Sequence, residues 1–332
     1  MTILEEAKPD RSSQAIWRTQ GARAAAPVML VILSLLLIGI GALLAPGFAS
    51  AGNILQLLKL SSFLGLAAIG QTVVMLTGGI DLSLAWVLTG SAVVFTDICD
   101  GKDANIFPAA MAAIGIGLAT GFANGLGVAK LRISPIVMTL AMNNIMLGAT
   151  LIYTGGTPSG ANGPVVRALA TGSLGPIPAM VVLWCVLAGL AIVAVKYTRG
   201  GRKLLSVGEN PRVSFLTGIG NDRVIISAYV ICGVMTSVTG ILFAAFSGAS
   251  FLGMGDQFVL PTIVAVVLGG TSMFGGRGGY GGTMAAVFFT TILSTVLVIE
   301  NIPTGVRSIV YGVAVLAAIL SQRFLTRRDD RD

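Results

Sequence analysis

Few residues of this chain are equipped for chemistry. Its 332 residues include no histidine, so an imidazole proton relay, a Ser-His-Asp arrangement and a histidine-based metal site are all excluded. Cys99, Cys185 and Cys232 are scattered, without the close pairing of a metal cluster. No G-x-x-x-x-G-K-[ST] occurs, so the chain carries no nucleotide site of the P-loop type. What remains is a small set of polar residues inside or beside apolar stretches: Asp81 and the amides Gln71, Asn124, Asn143 and Asn144. Carboxamides in such surroundings are equipped to hydrogen-bond a hydroxylated solute rather than to break covalent bonds. These four amides are therefore candidates for the lining of a solute path. Asn143 and Asn144 are neighbours, and neighbours on a helix point about 100° apart. One can face an adjacent helix while the other faces a pore. The blander use of such amides is an interhelical hydrogen bond worth about 0.6 kcal/mol.

The elements that must hold these residues are apolar runs of membrane length. Hydrophobic residues make up 55% of the chain and charged residues 11%, against about 25% charged in globular proteins. A helix of about 20 apolar residues crosses the roughly 30 Å hydrocarbon core of a bilayer. Ten such stretches are read, at about 27–45, 54–77, 82–98, 106–129, 134–153, 177–195, 224–247, 257–273, 279–299 and 304–322. The predicted fold is all-α, a multi-pass integral membrane protein with a polar segment at 1–26, a membrane domain at 27–322 and a tail at 323–332. Residues 1–26 lack the layout of a cleaved signal peptide, so 27–45 reads as a retained helix. With both termini in the cytoplasm, 17 of the 21 Lys and Arg fall inside, and Lys59, Lys102, Arg167 and Arg307 fall outside. The opposite orientation would reverse that asymmetry, against the positive-inside rule. The net charge of +7 is then a product of topology rather than a sign of a nucleic-acid partner.

Glycine punctuates the pattern in two ways. Gly117, Gly121 and Gly125 recur every four residues, which puts a small-residue stripe on one helix face for close packing. Two glycine-rich breaks, Thr77-Gly78-Gly79-Ile80-Asp81-Leu82-Ser83 and the stretch from Leu268 to Gly279, each follow a Val-rich run and precede another apolar run. Their similarity hints at internal duplication. Gly78, Gly79, Asp81, Gly269 and Gly270 are the candidate gating or helix-break positions. Asp81 has two readings, a cap for the helix at 82–98 or a participant in gating. The loop at about 196–223 is basic but too apolar for a disordered tether. Pro211 and Gly218 bracket a short helix in it, suited to docking a cytosolic partner, although a solvated basic connector would look the same.

Taken together, Thr77 to Ser83, Asn124-Gly125 to Lys130-Leu131-Arg132-Ile133, Gly269-Gly270-Thr271-Ser272 to Gly275-Gly276-Arg277-Gly278, and Gly208-x-Asn210 to Gly218-Ile219 resemble the permease subunits of ribose/xylose/galactoside-type ABC sugar importers, over about 27–322. The resemblance implies a bacterial inner-membrane protein that moves a monosaccharide or related polyhydroxylated solute and is not itself an enzyme. It implies a second permease subunit, as homodimer or heterodimer, ATP-binding subunits beneath, and a periplasmic sugar-binding protein. ATP and Mg²⁺ would sit on the ATPase, with no cofactor or metal on this chain. The loop residues Gly208, Glu209, Asn210, Arg212 and Gly218 would couple to that ATPase. Two positions depart from the family's pattern: Val213-Ser214 replaces a pair of alanines, and Leu84-Ala85 replaces Val-Gly. The competing reading is an ion-driven secondary transporter or a passive channel, which would need coupling carboxylates at the midplane where only Asp81 is on offer.

Overall fold

The computed structural model describes residues 11–329, with side chains described from 28 to 320. The cationic side chains expected at the two ends, Lys8, Arg11, Arg18, Arg23, Arg323, Arg327, Arg328 and Arg331, lie outside the described side chains.

Among the described residues the chain forms thirteen α-helices and one two-stranded ribbon. The helices are α1 (Arg11–Leu44), α2 (Ala51–Leu76), α3 (Leu84–Cys99), α4 (Ile106–Ala129), α5 (Pro135–Thr154), α6 (Pro164–Thr171), α7 (Ala179–Tyr197), α8 (Arg199–Glu209), α9 (Pro211–Leu216), α10 (Asn221–Ser247), α11 (Asp256–Leu268), α12 (Tyr280–Ile299) and α13 (Thr304–Asp329). β1 (Ser173–Leu174) and β2 (Ile177–Pro178) form the ribbon between α6 and α7. A helix lies under each expected apolar stretch. Six of them are long and apolar enough to cross a membrane, and Val28–Leu44, Leu84–Cys99, Asp256–Leu268 and Thr304–Leu320 are shorter apolar segments.

α2 is the axis of the molecule. It is buried almost continuously from Leu57 to Leu76, and α7, α10, α11 and α12 pack around it. The Trp184 indole N–H donates to Tyr280 Oη at 2.7 Å, and that hydroxyl donates to the Gly65 carbonyl at 2.7 Å, which satisfies these two polar tips within the apolar core. The small-residue stripe performs the packing expected of it. A Cβ at Gly117 would overlap the Gly233 carbonyl, one at Gly121 the Tyr229 carbonyl, and one at Gly125 would come within 2.6 Å of Ile226 Cα. α4 and α10 therefore meet backbone to backbone. The outer helices α1, α5 and α13 instead expose Leu35, Leu36, Ile145, Ile152, Val313 and Leu316, side chains that hydrocarbon rather than water would cover.

The loops gather at two ends. One end carries Asp97, Asp100 and Asp103. There Asp97 accepts hydrogen bonds from Tyr153 Oη at 2.5 Å and Ser159 Oγ at 3.0 Å. α6 is fixed at both termini by residues of suitable charge: Asp103 Oδ1 accepts the Val165 N–H at 3.0 Å, and Lys59 Nζ donates to the Thr171 carbonyl at 3.0 Å. Lys59 thus holds a helix end. The other end is basic. It carries Lys130, Arg132, α8, α9, Arg223 and Arg277.

Candidate functional site at the glycine turns

At the basic end α2 and α11 stop in the same way. The sequence Val-Val-Met-Leu-Thr-Gly-Gly ends α2, and Val-Val-Leu-Gly-Gly-Thr ends α11. Gly78, at φ +82°, donates to the Met75 carbonyl at 3.0 Å, and Gly79 donates to the Val74 carbonyl at 3.2 Å. Gly270, at φ +89°, donates to Val267 at 3.0 Å, and Thr271 donates to Val266 at 3.2 Å. Both are paired-bond caps closed by a left-handed glycine, which satisfies carbonyls that would otherwise be orphaned. The cap also explains why α11 ends at Leu268 and does not run to 273: a side chain at the position of Gly270 would be strained.

The loop at 196–223 contains more helix than expected. Pro211 does open a short helix, α9, and Asn210 Oδ1 accepts the N–H groups of Arg212 and Val213 at 3.0 and 3.1 Å. Gly218, at φ +81°, lies just past its end. Before it runs α8, an eleven-residue helix where the sequence predicts loop. Thr198 caps α8 through the Gly201 N–H at 3.2 Å. α8 brings Gly208 and Glu209 against both glycine turns.

That meeting is the central geometric fact of this end. The Gly276 N–H donates to the Leu76 carbonyl at 3.0 Å, tying the second turn to the last residue of α2. A Cβ at Gly208 would overlap that same carbonyl. A Cβ at Gly275 would meet Gly78 N at 2.7 Å and Gly208 Cα at 2.9 Å, and one at Gly276 would meet Glu209 Cα at 2.5 Å. Gly275 and Gly276 have φ of +85° and +74°, so a side chain there is strained as well as obstructed. Arg277 and Glu209 lie 3.6 Å apart, a solvent-exposed ion pair of small energetic weight. Of the expected coupling and helix-break positions, Gly208, Glu209 and Gly78 come together here, while Gly79 faces Tyr229 Oη. Asn210 and Arg212 follow directly on α9. Gly269 lies across from Gly282 and Thr283, at the base of the second turn. Gly275, Gly276 and Arg277, which belong to the glycine-rich motif but not to the expected coupling positions, make the contact. Their positive-φ geometry was foreshadowed only by the density of glycine between 269 and 279.

Asp81 lies in the connection between α2 and α3 and is buried. Its Oδ1 accepts the Ser83 N–H at 2.9 Å and the Ser83 Oγ–H at 2.6 Å, and Asn124 Nδ2 donates to Ser83 Oγ at 2.9 Å. Burial pushes the Asp81 carboxyl up, against the hydrogen bonds from Ser83 that pull it down. The carboxyl thus shapes the turn before α3 and leaves the first-turn amides of that helix to others. The Trp86 N–H is taken by Asn143 Oδ1 at 3.4 Å. Asn143 is half-buried against α3. Asn144 is exposed on α5, with its Nδ2 donating to the Leu140 carbonyl at 2.9 Å. Gln71 and Asn124 are fully enclosed within the single chain, and neither end of the Gln71 amide has a protein partner. Between the two glycine turns a cleft of about 290 Å³ opens, lined by Ile80, Pro135, Met273, Phe274 and Ile319. Among the described residues no His, Cys, Asp or Glu group is arranged to hold a metal ion.

Residues 53–319 match the family described as branched-chain amino acid transport system / permease component. Among curated proteins the chain is 33% identical to the ribose import permease protein of Escherichia coli strain K12 over 297 residues, covering 87% of this chain and 91% of that one. It is 33% identical to the autoinducer 2 import system permease protein of Enterobacter sp. strain 638 over 298 residues, covering 86% and 83%. It is 27% identical to the fructose import permease protein of Rhizobium meliloti over 317 residues, covering 91% and 86%. No solved structure matches the chain.

Proposed function

This chain belongs to the permease-component family of ABC importers, and on that premise we propose that it carries a monosaccharide or similar polyhydroxylated solute inward across the bacterial inner membrane. The observation that carries this reading is the similarity to import permeases along nearly nine-tenths of the chain. It is the membrane-spanning permease subunit of such an importer. All ten apolar helices cross the bilayer, with both termini and the basic end in the cytoplasm. A second permease completes the pathway, ATP-binding subunits dock below, and a periplasmic binding protein delivers the solute. ATP and Mg²⁺ belong to the ATPase, and this chain holds no cofactor of its own.

The mechanism follows from the basic end. α9 seats in the ATPase, and Asn210 holds the start of that helix. Any displacement of α8–α9 presses Gly208 and Glu209 on the second glycine turn and on the end of α2. Gly208 meets the Leu76 carbonyl and the Gly276 amide main chain to main chain, so little slack is left to absorb the displacement. Gly78 and Gly270 are the points at which α2 and α11 give way to their following helices, and Asp81 keeps the first of those turns closed. Asn144, exposed on α5, supplies hydrogen bonding that a hydroxylated solute needs in passage, while Gln71 and Asn124 are enclosed and Asn143 is engaged by the Trp86 N–H.

The test is reconstitution into vesicles with labelled pentoses and hexoses. The permease with its ATPase and binding protein is expected to accumulate one of them only when ATP is present. Accumulation by the permease alone, or driven by a proton gradient without the ATPase, overturns the proposal in favour of a secondary transporter.

A further inference from the structure

α11 crosses the bilayer only together with the non-helical residues that precede it. Its thirteen residues rise about 20 Å from the glycine turn at the basic end, against a hydrocarbon core of roughly 30 Å. Residues 248–255 make up the difference, and they descend along α3. Ser250 Oγ shares a hydrogen bond with Thr96 Oγ1 at 2.7 Å, and farther down the Gly255 N–H donates to Thr89 Oγ1 at 3.1 Å. A Cβ at Gly255 would overlap the Ala85 carbonyl. Thr89 lies ten residues below Cys99, the last residue of α3, which is about 15 Å of helix. Asp256, the first residue of α11, therefore sits near the middle of the bilayer.

Asp256 and Gln257 are exposed on one face of α11 with Leu260, while Phe258, Pro261 and Thr262 are buried. Among the described residues no Lys or Arg pairs with Asp256. Gln257 Nε2 donates to the Met254 carbonyl at 3.2 Å, which leaves its Oε1 as a second acceptor beside the carboxyl. An ionisable side chain at this depth faces water or protein rather than lipid. Irregular backbone at membrane depth is tolerated where it is buried in protein or lines a water-filled cavity, and here Ala249 and Phe251 are exposed. α5 meets α3 at the same level, since Asn143 Oδ1 takes the N–H of Trp86, the residue after Ala85. The adjacent amides of α5 and the Asp256–Gln257 pair of α11 thus both border the first turns of α3.

We propose that Asp256, with Gln257 beside it, contacts the solute at the centre of its path. The inference rests on the import reading given above and adds a carboxylate to the amides of α5. Two neighbouring hydroxyls of a polyhydroxylated solute can donate to the two oxygens of one carboxylate, and charge-assisted bonds of that kind are stronger than neutral ones. The same charge repels anions, so the path favours neutral polyols and sugars over their phosphorylated or carboxylated forms.

The experiment uses the whole transporter, permease with ATPase and binding protein, in vesicles. Asp256→Cys is made in a Cys185→Ala background, since the other two native thiols are buried. A membrane-impermeant methanethiosulfonate reagent should label residue 256 during ATP turnover, the transported sugar should slow that labelling, and Leu36→Cys on the outer face of α1 should stay unlabelled. Asp256→Leu should lower uptake at least tenfold and Asp256→Asn several-fold, with the size of the complex in detergent unchanged. No labelling at 256, or full uptake by Asp256→Leu, would overturn the proposal. Uptake driven by a proton gradient and abolished in Asp256→Asn would reassign the carboxyl to ion coupling and overturn it as well. A native complex that moves no pentose or hexose would overturn the sugar reading itself, whereas failure of the Asp256 arms alone leaves that reading standing.

Discussion

Asp81 is a buried carboxyl whose work is geometric. One of its oxygens holds both the amide and the hydroxyl of Ser83, and Asn124 extends the chain of hydrogen bonds across to α4. Asp81→Asn keeps an acceptor at that place and removes the charge that burial disfavours, so folding and uptake should remain close to those of the native protein. Asp81→Ala strands the Ser83 amide and hydroxyl, a penalty of about 1–3 kcal/mol for each buried group left unpaired. Thermal unfolding in detergent should therefore separate the two variants. Equal losses from both would mean that the negative charge itself is required. At the same scale, Gly276→Val should leave ATP hydrolysis running while uptake stops. It places a branched side chain at a positive φ against Glu209, at the point where α8 bears on the second turn. The ratio of ATP consumed to solute moved measures this. An unchanged ratio would remove the turn from the coupling route.

The helices show what in the fold was written in sequence and what was not. Apolar runs separated by charge placed a helix in every expected region, because burial in lipid demands long unbroken hydrophobic segments. The four-residue glycine spacing in α4 also read through to structure, since that stripe is local to one helix. α6 and α8 did not stand out. They are short and mixed in polarity, and what fixes them comes from elsewhere in the chain: Asp103 and Lys59 for α6, the backbones of the two glycine turns for α8. The meeting of Gly208 with Leu76 and Gly276 was equally hidden, because main-chain contacts between distant segments leave only an excess of glycine as their trace. A paired test follows for α4. Gly121→Leu drives a side chain into the Tyr229 carbonyl and should abolish the folded yield. Gly115→Leu, on the same helix with open space beside it, should be tolerated. Similar losses from both would indicate lipid-facing constraints rather than the α4–α10 contact.

At the scale of the whole molecule, a single chain encloses two of its four candidate solute-contacting amides and leaves Asn144 on an outer face of α5. Under the proposed function, a conduit lined by Asn144 would need a second permease chain to complete it. Asn144→Leu should cut uptake sharply while assembly with the ATPase, followed by size in detergent, stays intact. Asn143→Leu should instead lower stability by about 1 kcal/mol, the worth of a helix cap, since it frees the Trp86 amide. Normal uptake by the Asn144 variant would take α5 out of the solute route.

The junction of Leu76, Gly208 and Gly276 is assembled from peptide units. If α8 does transmit a stroke, as proposed, its throw would be fixed by the course of the polypeptide, so that inserting or deleting a residue in α8 should disturb it more than exchanging a side chain elsewhere.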